Sequence, residues 1–350
     1  MEPKTINRTK DLGARVQEYV RHLARGGRMV KFGVQQATYA VPRADLGTPF
    51  MEYELDEAEL VGLQALALFP TQKKAATASV VTREGLLRVG DTKRAPGGAY
   101  NRDDILTEDM AYACEENGQE QKLDDGDRAM YASDFDAEEI MSMTALNRLL
   151  LAQEIRIAAL LFNTGTWSGA PLTTTVSTAW GTVASATPVE DVLAAKAKVR
   201  ALTGLEPNAL ILSRTVYNNL LRTAAIRAEI KYVAVPTAEN IRSALAALFD
   251  VRRLLVGGAV YNAAIEGQPF SGSDVWGSGY AMVARIAEAA APLQVPCVGR
   301  TLLWTQDSPE NVVVEQYREN QTRSDIFRVR QHTNEKVIDP SFAHLIDITP

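Results

Sequence analysis

Apolar residues recur at helical spacing over one long stretch of the chain, from about residue 134 to residue 163. Most lie three or four positions apart, with one gap, at Ile140, Met143, Leu146, Leu150, Ile157 and Leu161. The stretch opens with Asp136, Glu138 and Glu139, whose carboxylates suit the free amides and the positive dipole end of a helix N-terminus. The pattern predicts an amphipathic helix on the order of 40 Å long, at about 1.5 Å per residue.

A second region, residues 189–261, alternates helical patterns with short apolar runs. A helix is predicted to end at Thr203 and Gly204, with one apolar face formed by Val192, Ala195, Val199 and Leu202. Residues 209–212 predict a buried strand, Ser213 and Thr237 are predicted N-caps of two helices, and residues 251–257 predict a second strand. This αβααβ order contains no catalytic constellation, which indicates a structural unit.

Residues 77–123 predict a projecting ribbon of two strands. Residues 77–89 favour a strand, residues 93–98 break it, and residues 110–123 are predicted to return as a second strand. Residues 124–127 are interpreted as a tight turn. A ribbon with so few apolar residues is marginal alone in water, so it is predicted to lie on another surface.

The two ends of the chain predict different structures. Residues 1–75 are predicted to form an arm rather than a domain, with one amphipathic helix ended by Gly26 and Gly27 and a short, packed helix within residues 55–68. Residues 173–180 favour a strand or a loop. Strands are also predicted at residues 280–286, 312–317, 325–330 and 345–348, and the C-terminal ones are expected to pack against the long helix. The predicted fold class is α+β.

Charge is distributed unevenly along the 350 residues, which carry a formal net charge of −6. Residues 1–31 carry eight basic and three acidic side chains, a balance of +5, so the remainder sums to −11. Such a basic segment either contacts nucleic acid or an acidic partner, or is a solvated terminus. The bias reverses in residues 103–139, with fourteen acidic side chains against Lys122 and Arg128. This acidic stretch is either a solvated face or a contact for a basic surface on a neighbouring subunit.

Composition favours one large domain or two medium ones, because 46% of the residues are hydrophobic. Cys114 and Cys297 fit neither a disulfide framework nor a CxxC pattern, so unpaired, reduced thiols are expected. The first residues lack the apolar core of a signal peptide, and no segment has the roughly 18 apolar residues of a spanning helix. We therefore expect a soluble intracellular product.

None of the candidate catalytic and metal-binding motifs has the residue spacing that its chemistry requires. The three histidines, His22, His332 and His344, form no metal-ligand cluster, and residues 124–127 lack the spacing and closing Glu of a calcium loop. Residues 277–279 do not match GxSxG, and neither GxGxxG nor GxxxxGK[ST] occurs. We therefore expect no enzyme, no cofactor, no metal and no small-molecule substrate.

The order of these segments resembles the major capsid proteins of tailed bacteriophages, which have the Hong Kong 97-type fold. The resemblance covers most of the chain and rests on runs in the family's order. These are residues 94–97 at a loop tip, 112–125 in a returning strand, 137–162 in a long helix, Trp180, Asp191, 203–204, 207–213, Leu220, Ile226, 230–231, 245–246, 254–259, 275–277 and 301–304.

The resemblance implies a domain organisation and a set of contact residues. Residues 1–75 become an N-terminal arm, 76–127 an extended loop (E-loop) over an adjacent subunit, 188–299 an axial domain, and 128–187 with 300–350 a peripheral domain around a spine helix. The implied E-loop tip is Lys93, Arg94, Ala95, Pro96, Gly97 and Gly98. The implied basic inner face of the arm is Lys4, Arg8, Lys10, Arg15, Arg21, Arg25, Arg28 and Lys31.

The implied function is structural. Copies of the chain would form hexamers and pentamers of an icosahedral head around packaged double-stranded DNA, bound without sequence specificity and without a membrane. The protein would be a virion component assembled in the host cytoplasm, with portal, scaffold and decoration proteins as further partners. No scaffolding extension precedes the arm, so a separate or minimal scaffold is implied. Lys93 lies near the tip, but no asparagine partner is identifiable, so no crosslink is predicted.

Three alternatives belong to other classes. An encapsulin-like nanocompartment would use the same fold to enclose protein cargo instead of DNA. A tail or decoration protein would form tubes or trimers rather than closed shells. A hydrolase would require turnover by the purified subunit that depends on a single residue.

Overall fold

The computed structural model describes residues 60–89, 92–94, 96–97, 100, 104, 106–131, 137–231, 237–309 and 311–349. The predictions for residues 1–59, including the amphipathic helix and the eight basic residues of the arm, lie outside the described residues. None of the described helices combines the length and apolar content that a membrane crossing requires.

Eight α-helices and one 3₁₀ helix occur in the described part of the chain. They are α1 (Gly62–Ala65), α2 (Arg83–Leu87), α3 (Asp125–Tyr131), α4 (Ala137–Leu161), α5 (Pro188–Thr203), α6 (Arg214–Arg222), α7 (Ala224–Ile230), α8 (Ala238–Leu248) and the 3₁₀ helix Pro340–Phe342.

Fourteen strands accompany them over the same residues. They are β1 (Leu68–Thr71), β2 (Ala75–Val81), β3 (Thr107–Ala113), β4 (Glu115–Asp124), β5 (Thr173–Thr175), β6 (Ala209–Ser213), β7 (Arg253–Gly257), β8 (Val260–Asn262), β9 (Gly272–Asp274), β10 (Tyr280–Ala284), β11 (Gly299–Trp304), β12 (Val313–Glu319), β13 (Ser324–Val337) and β14 (Ala343–Asp347).

These strands form two five-stranded sheets and two ribbons. Sheet 1 has the order β1-β11-β13-β12, and β4 pairs with β13 as well. Sheet 2 has the order β5-β14-β10-β6-β7. The ribbons are β2–β3 and β8–β9. The architecture is mixed α+β, as the sequence predicts.

The long helix α4 is confirmed and packs on sheet 1, where it contacts β4 and β13. It has 25 residues, which gives a length of about 37 Å. Leu146, Leu150, Ile157 and Leu161 of the predicted apolar stripe are buried. Leu146 and Leu150 pack in one core cluster with Val329 of β13, whereas Ile157 and Leu161 pack in another with residues of sheet 2, so the helix contacts both sheets.

The predicted αβααβ region is confirmed, with one helix more than predicted. Strand β6 is buried at every position, and Gly204 ends α5 in the left-handed conformation, with φ of 73°. Ser213 Oγ accepts a hydrogen bond from the Val216 amide, and Thr237 Oγ1 accepts one from the Asn240 amide, so both predicted N-caps form. Three helices separate β6 from β7 rather than two, because Thr223 ends α6 and α7 follows directly.

Sheet 2 takes strands from three parts of the chain. Strand β14 pairs antiparallel with β10 and parallel with β5, while β10 pairs with β6. The sheet therefore crosses the predicted boundaries at residues 187/188 and 299/300. The two parts share one hydrogen-bonded layer, although the domain limits themselves stay a prediction.

The first predicted strand of the ribbon ends earlier than expected. Strand β2 stops at Val81, and residues 83–87 form α2 instead of continuing the strand to Val89. The alternation of apolar and polar residues that favours a strand is broken at Leu86 and Leu87, which are consecutive apolar residues. The Thr82 amide donates to the Leu106 carbonyl, which closes the ribbon at this point.

The predicted return strand is two strands with different partners. Strand β3 pairs with β2, whereas β4 leaves the ribbon and pairs with β13 over ten residue pairs. Cys114 separates them, is buried, and donates its amide to the Lys74 carbonyl. The single-strand prediction for residues 110–123 is wrong, because the 14-residue β13 offers β4 a longer pairing edge.

The tight turn predicted at residues 124–127 is also wrong. Asp124 is the last residue of β4, and α3 begins at Asp125. Asp124 Oδ1 accepts a hydrogen bond from the Gly126 amide at 2.8 Å, and Asp125 and Asp127 lie in the first turn of the helix. Carboxylates at this end are favourable because the free amides and the helix dipole are there.

A buried lysine stabilises the end of α8. Lys196 Nζ donates to the carbonyls of Phe249 and Asp250 at 3.1 and 2.6 Å, and to Asp250 Oδ2 at 2.8 Å. Its side chain is 6% exposed. The ammonium group lowers the pKa of Asp250.

Replacing Lys196 with Met is expected to lower the free energy of unfolding by about 1–3 kcal/mol, because two carbonyls lose their donor while the aliphatic stem stays. Chemical denaturation measures the change. Arg200→Met is the matched control, because that exposed side chain pairs only with the exposed Glu206 and should cost about 0.5 kcal/mol or less. Equal losses in the two variants would contradict the role of Lys196.

Candidate functional site

The β2–β3 ribbon buries few of its own side chains. It pairs antiparallel over seven residue pairs, from Ala75 with Ala113 to Val81 with Thr107. Positions of β2 alternate between exposed and half-buried, and Met110 is the one buried position of β3. A two-stranded ribbon without a covered face gains little from its own packing.

Large apolar side chains are exposed in the segment that joins β2 to β3, which Arg83 ties to Asp339 at 2.6 Å. We call Leu86, Leu87, Val89, Tyr100 and Leu106 the apolar loop surface; all five are exposed, and Val89 reaches 92%. Exposed apolar clusters of this kind mark interaction surfaces. The apolar loop surface is therefore the part of the ribbon that we expect to lie on another surface, and this stays a prediction.

Part of the predicted loop tip is described. Lys93, Arg94, Pro96 and Gly97 are exposed, and the Arg94 guanidinium lies 4.6 Å from the centre of the Tyr100 ring. Gly97 has a φ of 80°, which glycine adopts without strain. Ala95 and Gly98 lie outside the described residues. The described part of this loop therefore carries both basic and apolar side chains.

The acidic stretch is partly neutralised within the same chain. Glu120 on β4 pairs with Arg328 on β13 at 2.6 Å, and Asp125 pairs with Arg318 on β12 at 2.6 Å. The Arg318 guanidinium holds the pKa of the Asp125 carboxyl below its usual value. The sequence left open a solvated face or a contact for a basic surface on a neighbouring subunit. A basic surface does meet these carboxylates, but it belongs to strands β12 and β13 of the same chain.

A second part of the same sheet face carries further ion pairs. Arg330 contacts Glu315 at 2.7 Å and also Asp307. Arg330 lowers the pKa of the Glu315 carboxyl. The outer face of sheet 1 is therefore a network of cross-strand charges, which is sensitive to salt where it is exposed.

A serine, a histidine and an aspartate meet beside this network without forming a catalytic triad. Ser308 Oγ lies 3.5 Å and Asp307 Oδ2 2.9 Å from the same ring nitrogen, Nδ1 of His332. A triad requires the nucleophile and the carboxylate to be hydrogen-bonded to opposite ring nitrogens. The carboxylate opposite Ser308 is that of Glu116, and its Oε2 lies 3.6 Å from Nε2, beyond hydrogen-bond distance. Ser308 and His332 are both buried, so this cluster stabilises the fold.

The remaining candidate residues are also buried in the body. His344 bonds Thr174 and the Pro171 carbonyl, and burial lowers its pKa to about 4, so the ring is neutral. Cys114 and Cys297 are buried and unpaired, as predicted. Among the described residues, no group of three or more histidine, cysteine or acidic side chains is arranged to hold a metal ion. His22 lies outside them.

A buried glutamate of α4 joins three separate elements. Glu154 is 3% exposed, and its Oε1 accepts hydrogen bonds from the Val61 amide at 2.9 Å, the Gly62 amide at 3.0 Å and Trp276 Nε1 at 2.7 Å. Oε2 accepts a second bond from Gly62 at 2.8 Å. We call Glu154, Trp276, Gly257 and Gly62 the Trp276 cluster.

Burial dominates the protonation of this glutamate. Desolvation raises the pKa of Glu154 to about 7, and the bonds from Trp276, Val61 and Gly62 partly oppose that rise. No charged side chain in the described part of the chain contributes to this shift. The carboxyl group therefore changes its charge near neutral pH while holding the start of α1 against the long helix.

Sequence reasoning missed the role of this cluster. The available signal was a glutamate among apolar core positions of the predicted helix, since Glu154 stands between Leu150 and Ile157. A buried carboxylate normally has a partner. Its partners lie 92, 93 and 122 residues away in the chain, so sequence spacing does not indicate them.

Solved structures with the same fold come from phage-related and capsid proteins. A phage-related protein from Bordetella bronchiseptica RB50 matches with a TM-score of 0.63 and 21% identity, covering 85% of this chain and 95% of that one. The capsid of a GTA particle matches with a TM-score of 0.55 and 10% identity, covering 89% and 96%. The capsid of the cyanophage P-SCSP1u matches with a TM-score of 0.52 and 12% identity, covering 89% and 93%.

At the level of sequence, no family model and no curated protein matches the chain. The structural likeness extends over most of the chain and of each neighbour. The protein therefore has the mixed α+β fold found in capsid shell proteins, and the sequence-based recognition of that fold is confirmed.

Proposed function

We propose that this chain is the major capsid protein of a tailed bacteriophage, with the Hong Kong 97-type fold. Copies assemble into hexamers and pentamers of an icosahedral head that encloses double-stranded DNA. Its role is structural, without catalysis. The protein is a component of the virion and assembles in the host cytoplasm.

The observation that carries this proposal is the sparsely buried ribbon, with its exposed apolar side chains, on a capsid-type fold. The apolar loop surface exposes five large side chains that the chain itself does not cover. Covering one such side chain contributes about 1.5–3 kcal/mol. Repetition of the subunit supplies that cover, because each copy offers its body to the loop of a neighbour.

The domain names follow from this assignment. Residues 76–127 act as the extended loop over an adjacent subunit, with the tip at Lys93 to Gly98, and α4 is the spine helix of the peripheral domain. Residues 188–299 form the axial domain around the capsomer axis. The shared sheet 2 supports a rigid connection between the two domains, because β14 and β5 pair with its strands.

Residues 1–75 form the arm in this proposal, and its eight basic side chains from Lys4 to Lys31 face the packaged DNA. Dispersed lysine and arginine neutralise phosphate without reading sequence. Portal, scaffold and decoration proteins are the further partners.

Expression of the full chain with and without a scaffold partner tests the proposal. Negative-stain microscopy is expected to show closed shells or capsomers, and nuclease-protected DNA is expected in particles from infected cells. Monodisperse monomers under every condition would contradict a shell. Particles that contain a protein cargo and no DNA would favour the encapsulin-like alternative.

The double variant Leu86→Asp, Val89→Asp is expected to fold normally and to assemble poorly. Both side chains are exposed in the single chain, so the free energy of unfolding should change by about 0.5 kcal/mol or less. Each intersubunit contact loses about 3 kcal/mol or more of apolar burial. Sedimentation should show at least a tenfold loss of closed particles.

The control is Ile265→Asp, which adds one negative charge at an exposed position between β8 and β9. Deletion of residues 92–104 is expected to give the same folded, poorly assembling subunit as the double variant. Normal heads from the deletion would overturn the loop assignment. An equal loss of particles from Ile265→Asp would show that added surface charge alone prevents assembly.

A further inference from the structure

A buried guanidinium group lies where sheets 1 and 2 meet. Arg300, the second residue of β11, is fully buried, with 0% of its surface exposed. Its Nη2 donates to the Pro292 carbonyl at 3.0 Å, in the connection between β10 and β11. Its Nε and Nη1 are buried and have no hydrogen-bond partner.

A second arginine stands beside it. Arg285 follows β10, and its carbonyl accepts a hydrogen bond from the Val298 amide at 2.8 Å, which brings the two segments together. Its Nη1 donates to the Glu206 carbonyl at 2.8 Å, whereas its Nε is buried without a partner. Two nitrogens of Arg300 and one of Arg285 are therefore buried without a hydrogen-bond partner among the described residues, apart from the contact of Arg300 with the Cys297 sulfur.

The two arginines have no carboxylate partner among the described residues. Neither Arg285 nor Arg300 forms an ion pair with a carboxylate in the described part of the chain. The nearby Cys297 thiol donates to the Gly299 carbonyl at 3.5 Å. Burial raises its pKa, and the opposing effects of Arg300 and Arg285 do not reverse that rise, so the thiol is neutral.

An uncompensated charge in this position is costly. Arginine does not lose its proton in proteins, so Arg300 cannot become neutral as a buried lysine would. Burial of an unpaired ion costs several kcal/mol after the surroundings relax. A counter-ion removes that cost, and the enclosed position favours a small ion that loses its water readily.

We propose that Arg300 and Arg285 bind a monatomic halide, chloride under physiological conditions, beside the Cys297 side chain. The ion accepts hydrogen bonds from the guanidinium nitrogens that lack a protein partner. Because Arg285 follows a strand of sheet 2 and Arg300 belongs to sheet 1, the bound halide ties the two sheets together. This inference does not depend on the proposed function.

Equilibrium unfolding of the full chain in sodium chloride and in sodium gluconate, at equal ionic strength, tests the site. Ligand binding to the folded state multiplies the folding constant by 1 + [chloride]/Kd, which is about tenfold at a chloride concentration about nine times Kd. The wild-type midpoint is expected to rise with chloride. Arg300→Met is expected to abolish that dependence, and Arg252→Met, an exposed arginine, is expected to keep it.

A crystal of the full chain grown in sodium bromide gives a second readout that does not require the variant to fold. An anomalous peak within hydrogen-bond distance of Arg300 Nη1 or Nε is expected. The inference would be overturned if a carboxylate occupied this place, or if no anomalous peak appeared there. Equal chloride dependence in the wild type and in a folded Arg300→Met variant would overturn it as well.

Discussion

The variant Gly257→Ala is expected to lose about 3–5 kcal/mol of folding free energy. A Cβ at Gly257 would lie 2.2 Å from Trp276 Cδ1 and 2.6 Å from its Cγ and Nε1. The indole cannot retreat, because Trp276 is fully buried and packs edge-on to Phe162 at 5.0 Å. Overpacking of this kind forces side chains or backbone to move, which costs several kcal/mol.

Loss of the Trp276 position has a second cost. Trp276 Nε1 donates to Glu154 Oε1 at 2.7 Å, and a hydrogen bond to a charged group contributes about 1.5–3 kcal/mol. Chemical denaturation, with the tryptophan fluorescence as probe, measures the combined effect. The matched control is Gly277→Ala, because a Cβ at Gly277 meets nothing within 4 Å and should change stability by about 0.5 kcal/mol or less. Similar midpoints for the two variants would contradict this account of the cluster.

The variant Glu154→Gln is expected to change how stability depends on pH. Glu154 has a pKa of about 7 in the folded protein, above its usual value of 4.5, because it is buried. The folded state therefore keeps a proton between these values that the unfolded state has lost. The contribution of Glu154 is fully present below pH 4.5 and is lost as the pH rises through 7, by about 3 kcal/mol.

A buried histidine acts in the opposite direction over nearly the same range. His344 has a pKa of about 4 in the folded protein against 6.5 normally, so the unfolded state binds the extra proton. Stability from this group rises between pH 4 and pH 6.5 by a similar amount. The two effects largely cancel in the wild type, so a flat wild-type profile does not test Glu154.

The difference between variant and wild type isolates the glutamate. Relative to wild type, Glu154→Gln should gain about 3 kcal/mol in unfolding free energy between pH 4.5 and pH 8, because the amide keeps the shape of the protonated acid and carries no charge. Denaturation curves at several pH values measure this difference, in which the contribution of His344 cancels. A difference that does not vary with pH would show that the pKa of Glu154 is not raised in the folded protein.

Local chemistry explains why several elements are predictable from the sequence. The apolar stripe of α4, the glycine that ends α5 and the caps at Ser213 and Thr237 depend on residues within one or two turns. Their partners are nearby in the chain, so spacing and residue type specify them. The sequence therefore predicts every element of the αβααβ region, and only the short helix α7 is missing from the prediction.

Strand partners were the part that sequence patterns did not predict. Residues 110–123 carry strand signals throughout, yet β3 pairs with β2 and β4 pairs with β13, more than 200 positions along the chain. An edge strand pairs with whichever partner gives the longest register and the best side-chain contacts. That choice depends on the assembled body and not on local preference.

The sequence by itself determined the long helix, the capped αβ unit and the projecting ribbon that lacks a core of its own. It also determined the absence of recognisable catalytic spacing, since motif spacing is a local property. Only the tertiary structure decided that the acidic strand meets this chain's own arginines, that sheet 2 crosses the predicted boundaries, and that Glu154 holds α1 and Trp276. Those features join residues about 90 to 200 positions apart, and long-range contacts form only when burial of the whole body offsets the entropy of closing such loops.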